Sequence, residues 1–233
     1  MDDAGSGTRT RTARGPADFK SAASDQFRHP GPASVSLRPM THDVIVLLAV
    51  LGVVGQVIAG ALIVIGVLAL FRVRGPLDWL RRLLWGYELW AAFLVAAIAT
   101  GGSLFLSQVA GFIPCEMCWF QRICMYPLSI LTLFAAFHGD NRFARYLLPF
   151  PIVGACVSVY HLLIENQVIG EPSACKIGGA GCAVKWINYF GYMTIPTLAL
   201  TAFVLLIGFL ALAAAEGDDS AEPAGTLAAD GQR

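Results

Sequence analysis

Pro114-Cys115-Glu116-Met117-Cys118-Trp119-Phe120-Gln121-Arg122 opens a long apolar run and decides how the rest of the chain is read. Two cysteines three apart can close a small disulfide ring or bind a soft metal. From Cys118 onward the residues read as helix, which puts Cys118 and Arg122 on one face at i, i+4. A guanidinium there favours the thiolate, the form of sulfur that does nucleophilic and redox work. The flanking sequence is apolar enough to hold the pair at a membrane surface.

Working outward, 56% of the 233 residues are hydrophobic and only 14% are charged. A soluble domain carries nearer a quarter charged residues. Runs 44–71 and 186–215 contain no charge at all, and each exceeds the roughly 20 residues that cross a bilayer. The composition therefore predicts an all-α integral membrane protein. Net charge is zero, which gives no electrostatic argument for nucleic acid. Cys115, Cys118, Cys175 and Cys182 fall in connections, whereas Cys124 and Cys156 fall inside apolar spans, where a thiol defaults to a small buried hydrophobe.

Residues 1–43 are small, polar and Pro/Arg-rich and read as a disordered tail, not a secretory signal. An additional N-terminal transmembrane helix is expected over 44–71, with Gln56 as its one polar residue. Gly52, Gly55, Gly60 and Gly66 offer it close helix packing. Its plainest reading is an anchor. Four further spans are expected at about 83–107, 117–137, 146–164 and 186–213, forming a four-helix transmembrane core over 83–213. Glu88 stands one turn from Arg81 and Arg82, which suits an interfacial ion pair. Pro127 is placed to kink the third span, and Pro149 and Pro151 to interrupt the fourth. Residues 214–233 read as a disordered acidic tail.

The short connections 72–82 and 138–145 carry four and two arginines, so the positive-inside rule makes them cytoplasmic. Both cysteine-bearing connections then share the opposite, oxidising side. A basic tail ahead of residue 44 would lie on that side too, against the rule. Two cysteine pairs on one face suit relayed thiol–disulfide exchange, since each pair can be a disulfide and a thiolate on one can attack the other. The glycine-rich loop around Cys175–Cys182 suits a protein partner. The Cys115–Cys118 pair beside Arg122 suits delivery of two electrons and two protons to a lipid-soluble quinone.

Cys115-Glu-Met-Cys-Trp-Phe-Gln-Arg122 with Met125-Tyr-Pro127 resembles the quinone-coupled disulfide-bond formation protein B family (DsbB and its BdbC branch). So do the run from Cys182 through Lys185-Trp186 to Pro196 and the Tyr160-His161 pair. The resemblance covers about 83–212 and leaves the 44–71 helix outside a family core of four spans. It implies a bacterial cytoplasmic-membrane enzyme whose active cysteines face outward and which reoxidises a DsbA-like, thioredoxin-fold partner. It further implies disulfides Cys115–Cys118 and Cys175–Cys182, with Cys175 forming the mixed disulfide and Cys182 pairing transiently with Cys115. Cys118 would face the quinone, ubiquinone or menaquinone, with Arg122 and His161 near its oxygens; Trp119, beside them in sequence, is a candidate wall of the same pocket.

Other readings stay open at this stage. Arg122 can snorkel to headgroups, His161 can be an interfacial hydrogen-bonder partnered by Glu165, and Trp119 can be an interfacial anchor. Zinc is disfavoured by the spacing of Cys175 and Cys182 and by the lack of a neighbouring histidine in sequence. A vitamin K epoxide reductase-type enzyme would carry its Cys-x-x-Cys after the loop pair, the reverse of the order here. A non-enzymatic membrane subunit with two structural disulfides is the third class.

Overall fold

The computed structural model describes residues 33–176 and 181–219; the tail readings for 1–32 and 220–233, and residues 177–180 of the glycine-rich loop, lie outside the described residues. The chain forms two units, Met1–His42 and Asp43–Arg233, and the first enters only as the opening turns of a helix from Ala33. Helices follow in the order α1 (Ala33–Leu70), α2 (Gly75–Leu84), α3 (Glu88–Gln108), α4 (Glu116–His138), α5 (Ala144–Leu147), α6 (Pro149–Glu165) and α7 (Ile195–Asp219). Among the described residues, five helical segments are long and apolar enough to cross a membrane: Thr41–Leu70, Glu88–Gln108, Glu116–His138, Asn141–Glu165 and Ile195–Gly217. This is an all-α multi-span membrane protein.

Several boundaries differ from the sequence reading. α1 begins at Ala33 and α7 runs to Asp219, both beyond their apolar runs. The arginine-rich connection is itself helical: Leu77, Leu80 and Leu84 recur at i, i+3, i+7 with Pro76 in the first turn. Pro149 begins α6, where its missing N–H has no helical partner to lose. Pro127 lies inside a continuous α4. The last span starts at Ile195, and residues 186–194 instead form a turn closed by a Tyr189–Met193 bridge.

α3, α4, α6 and α7 form a closed square in which each helix touches two neighbours. Ala92, Ala96, Leu128, Phe203, Leu206 and Leu210 fill the space between them. Small residues let the backbones approach, which is how helices pack where lipid is as apolar as their side chains. At Gly154 a Cβ would run into the Phe203 ring, so α6 and α7 meet through an absent side chain. Cys124 packs in this core, whereas Cys156 faces outward. Glu88 does not form the expected surface ion pair: it is 1% exposed, with neither carboxylate oxygen hydrogen-bonded.

α1 lies outside the square, against α7. Gly52 abuts Leu198, Gly55 abuts Thr201 and Leu205, and Leu62 abuts Gly208, so the two helices run parallel. Gly60 and Gly66 meet nothing within 4 Å and play no part in packing. α7 starts at the cysteine-bearing end of the bundle, so the Asp43 end of α1 lies at that end as well.

Candidate active site at the cysteine end of the bundle

Cys115 caps the N-terminus of α4 in extended backbone, its Sγ accepting from the Cys118 N–H at 3.4 Å. Cys115 and Cys118, the pair that the resemblance joins, stand unbonded here with sulfurs 3.0 Å apart. Cys175 and Cys182 are joined by a disulfide, with Cα atoms 5.6 Å apart. Cys115, Ile164, Cys175 and Cys182 form one buried cluster, with Met117, Cys118 and Ala183 against it. The fold thus brings together two cysteine pairs separated by some sixty residues of chain.

His161 sits between the pairs. Its Nε2 lies 3.1 Å from the Cys182 carbonyl oxygen and 3.6 Å from Cys115 Sγ. Donation to the carbonyl puts the proton on Nε2 and aims that same N–H near the sulfur. The hydrogen bond from the Cys118 thiol, helped by His161, holds the Cys115 thiol down at about 4 despite its burial. The helix N-terminus beneath it favours the same anion. These contacts favour the anionic form at Cys115, next to the Cys118 expected from the Arg122 spacing.

A cavity of about 20 Å³, the size of one water, is lined by Cys115, Cys118, His161, Glu165 and Lys185. Glu165 Oε2 accepts from the Thr194 hydroxyl at 3.0 Å, while its Oε1 and His161 Nδ1 are buried without a hydrogen-bond partner. Beside the disulfide, Glu171 Oε1 accepts from the backbone N–H groups of Cys182 and of Ala183, the latter at 3.3 Å. This carboxylate pins the loop and gave no signal in the sequence beyond being one acid among several.

A second cavity, about 320 Å³, opens beside Cys118, in the size range of small-molecule sites. Its walls are apolar residues of α1, α3, α4 and α7, with Arg122, Gln121, Ser103 and Tyr126 as polar groups at the cysteine end. Arg122 donates from Nε to Ser103 Oγ (3.0 Å) and from Nη2 to the Ser103 carbonyl (3.1 Å). Its guanidinium lies 5.3 Å over the Trp119 ring. Trp119 is thus a platform for Arg122 and lines neither cavity; the aromatic residues of the large one are Phe112, Tyr126, Trp186 and Phe203, with Trp186 stacked on Phe112. His161 lines the small cavity and not the large one. Gln121 donates to Ser158 Oγ at 3.0 Å, fixing α4 to α6 behind the site.

Cys118 lines both cavities, whereas Cys115 lines only the small polar one. The ligand atoms of Cys115, Cys118 and His161 lie within 4.8 Å of one another, so the fold supplies the histidine that the sequence spacing lacked for a soft metal. In the reduced state this trio is a dithiol with a basic neighbour, and both exchange chemistry and thiophilic cations are open to it.

Residues 82–213 match the family model described as "Disulfide bond formation protein DsbB". The chain is 48% identical over 125 residues to "Disulfide bond formation protein C" of Bacillus subtilis (strain 168), covering 53% of this chain and 90% of that protein. It is 40% identical over 120 residues to "Probable disulfide formation protein C 1" of Bacillus anthracis, covering 52% of this chain and 86% of the relative. A "Probable disulfide formation protein" of Metapseudomonas resinovorans is 36% identical over 115 residues, 49% of this chain and 80% of the relative. No solved structure matches. With more than half of its length matched, and two cysteine pairs gathered at one end of the matched helices, the chain belongs to the DsbB family of disulfide bond formation proteins.

Proposed function

We propose that this protein is a thiol:quinone oxidoreductase that reoxidises a DsbA-like, thioredoxin-fold partner at the outer face of a bacterial cytoplasmic membrane. The observation that carries this reading is the position of Cys118, shared between the small polar cavity and the large apolar one. The apolar cavity fits a quinone: it is long, almost free of polar groups, and ends in a fixed guanidinium and hydroxyls suited to a carbonyl oxygen. A bound quinone, ubiquinone or menaquinone, supplies the acceptor for two electrons and two protons.

The chain's own residues perform the sulfur chemistry. A partner thiolate attacks Cys175, forming a mixed disulfide and releasing Cys182 as thiolate; the partner's second thiolate then displaces Cys175, so the partner leaves as a disulfide and the loop pair is reduced. Both loop sulfurs are buried, so this step requires the disulfide to lift from Ile164. The Cys182 thiolate attacks Cys115 in the closed Cys115–Cys118 ring, expelling Cys118. Cys175 resolves that bond, restoring Cys175–Cys182 and leaving the electron pair on Cys115 and Cys118. His161 holds the Cys115 thiolate, and Arg122, fixed by Ser103 and Trp119, orients what binds beside Cys118. Domain limits follow the same reading: the redox unit is 83–213, and 44–71 is an added helix.

Purified protein supplied with a reduced thioredoxin-fold partner and a quinone is expected to convert partner dithiol to disulfide with one quinol per pair of thiols. Cys118→Ser and Cys175→Ser are each expected to abolish turnover, and a partner lacking its second cysteine is expected to be trapped on the unaltered protein as a mixed disulfide through Cys175, releasing Cys182 as thiolate. Undiminished partner oxidation in Cys118→Ser would overturn the reading.

A further inference from the structure

The apolar cavity extends well past the groups that a quinone ring needs, and one of its sides is an element foreign to the family. Its lining runs from Leu48 to Ile58 on α1 and from Ile195 to Leu205 on α7. Ten residues of helix rise about 15 Å, so the cavity is a slot lying parallel to the helices with Arg122 and Cys118 at one end. The family match begins at residue 82, and the relatives named above align with about half of this chain while themselves being covered to 80% or more. α1 is therefore no part of the shared core, yet it supplies one wall of the slot.

α1 is also docked specifically. Ala49, Gly52, Gly55 and Ala59 form its buried stripe, and at Gly55 a Cβ would stand 3.1 Å from Thr201 and 3.3 Å from Leu205. Gln56, the one amide in an apolar run, accepts from the Tyr192 hydroxyl at 3.1 Å and points its Nε2 at Met193 Sδ, 3.9 Å away. A hydrogen bond at membrane depth fixes register where apolar packing alone would allow sliding. Val54 and Ile58, next to the stripe, are half-exposed and line the slot, so α1 stands where lipid would otherwise fill that side.

We propose that α1 is a specificity wall: with α7 it forms a channel for the prenyl tail of the quinone, and it selects for tailed quinones over tail-less ones. This rests on the thiol:quinone reading above. The shared chemistry is a long apolar chain, which a prenyl tail and a phospholipid acyl chain both possess, and the experiment separates them.

The full-length protein in phosphatidylcholine nanodiscs is titrated with tail-less menadione and with a naphthoquinone bearing four isoprene units, and binding is read from quenching of intrinsic tryptophan fluorescence. The wild type is expected to bind the tailed quinone more tightly. Val54→Phe with Ile58→Phe, which narrows the slot from a side that tolerates bulk, is expected to weaken tailed-quinone binding about tenfold, equivalent to losing the burial of roughly two methylene groups. Menadione, which has no tail, is expected to be weakened much less, so that the ratio of tailed-quinone to menadione affinity falls by about that factor. Val57→Phe, exposed and outside the slot, is expected to change nothing. Equal affinity for the two quinones in the wild type, as when a lipid chain occupies the slot, overturns the proposal. So does equal weakening of both quinones by the double variant, or no weakening of either. In each of those cases menadione turnover leaves the oxidoreductase reading standing, whereas a wild type that binds and reduces neither quinone overturns both.

Discussion

At the scale of single residues, the chemistry turns on which sulfur of Cys115 and Cys118 carries the charge. Cys115 sits at a helix N-terminus, accepts from the Cys118 N–H and thiol, and lies 3.6 Å from His161 Nε2. These donors stabilise an anion more than burial opposes it, and the thiol falls to about 4 from the usual thiol value. The sign is that of an acid favoured in its charged form: thiolate persists above the lowered value and is lost as pH falls through it. Alkylation of Cys115 in the reduced protein, followed by mass mapping, is therefore expected to be flat from about pH 5 to 8 once reagent effects are corrected, unlike a free thiol titrating near ~8.5. It should fall near pH 4. His161→Ala removes one of the lowering groups and is expected to move that midpoint upward. An unchanged midpoint would assign the shift to Cys118 and the helix alone. The sequence named every residue in this account, because Cys-x-x-Cys is a local pattern. It could not say that His161 serves Cys115 instead of the large cavity, since the two are 46 positions apart and meet only in the fold.

At the scale of elements, small residues decide how closely the helices pack. Gly154 on α6 faces the Phe203 ring on α7 with no room for a Cβ. Phe203 is fully buried and has nowhere to turn. Gly154→Ala is accordingly expected to destabilise the protein by about 1–3 kcal/mol, the range for overpacking a close contact, read as a lowered midpoint of unfolding in detergent. Because α6 also carries His161 and Glu165, the same variant should disturb the cysteine cluster. Helix existence was legible from apolar runs, and α2 was missed because ten residues with three charges, Asp78, Arg81 and Arg82, look like a loop when read for hydropathy alone. The starts of α6 and α7 were misplaced because apolar composition continues through the proline pair and through the 186–194 turn; hydropathy records what lipid tolerates, not where backbone bonds begin.

At the scale of the whole molecule, the five spans make an odd number of crossings, and α1 runs parallel to α7. The Asp43 end of α1 and the cysteine loops thus share one end, and α2 lies at the other. In a cysteine-free background, Asp43→Cys and Lys185→Cys are expected to react with a membrane-impermeant maleimide from the same side, and Asp78→Cys only from the opposite side. Labelling of Asp43→Cys together with Asp78→Cys would show that α1 does not cross. The arginines of α2 sit in a short connection between two spans and oppose the basic stretch ahead of the first span, and this labelling reads which of the two sets the orientation.

By itself the sequence determined the membrane as solvent, the spanning segments and the two cysteine pairs, because each depends on composition or on spacing within a few residues. Only the tertiary structure decided that His161 reaches Cys115 and that Cys118 joins the two cavities. It also decided that Trp186 and α1, and not Trp119, wall the apolar slot. The physical reason is that a transmembrane helix is apolar on all sides, so its sequence does not mark which side meets protein and which meets lipid. That choice is made by where small residues and single polar groups such as Gln56 find partners on other helices.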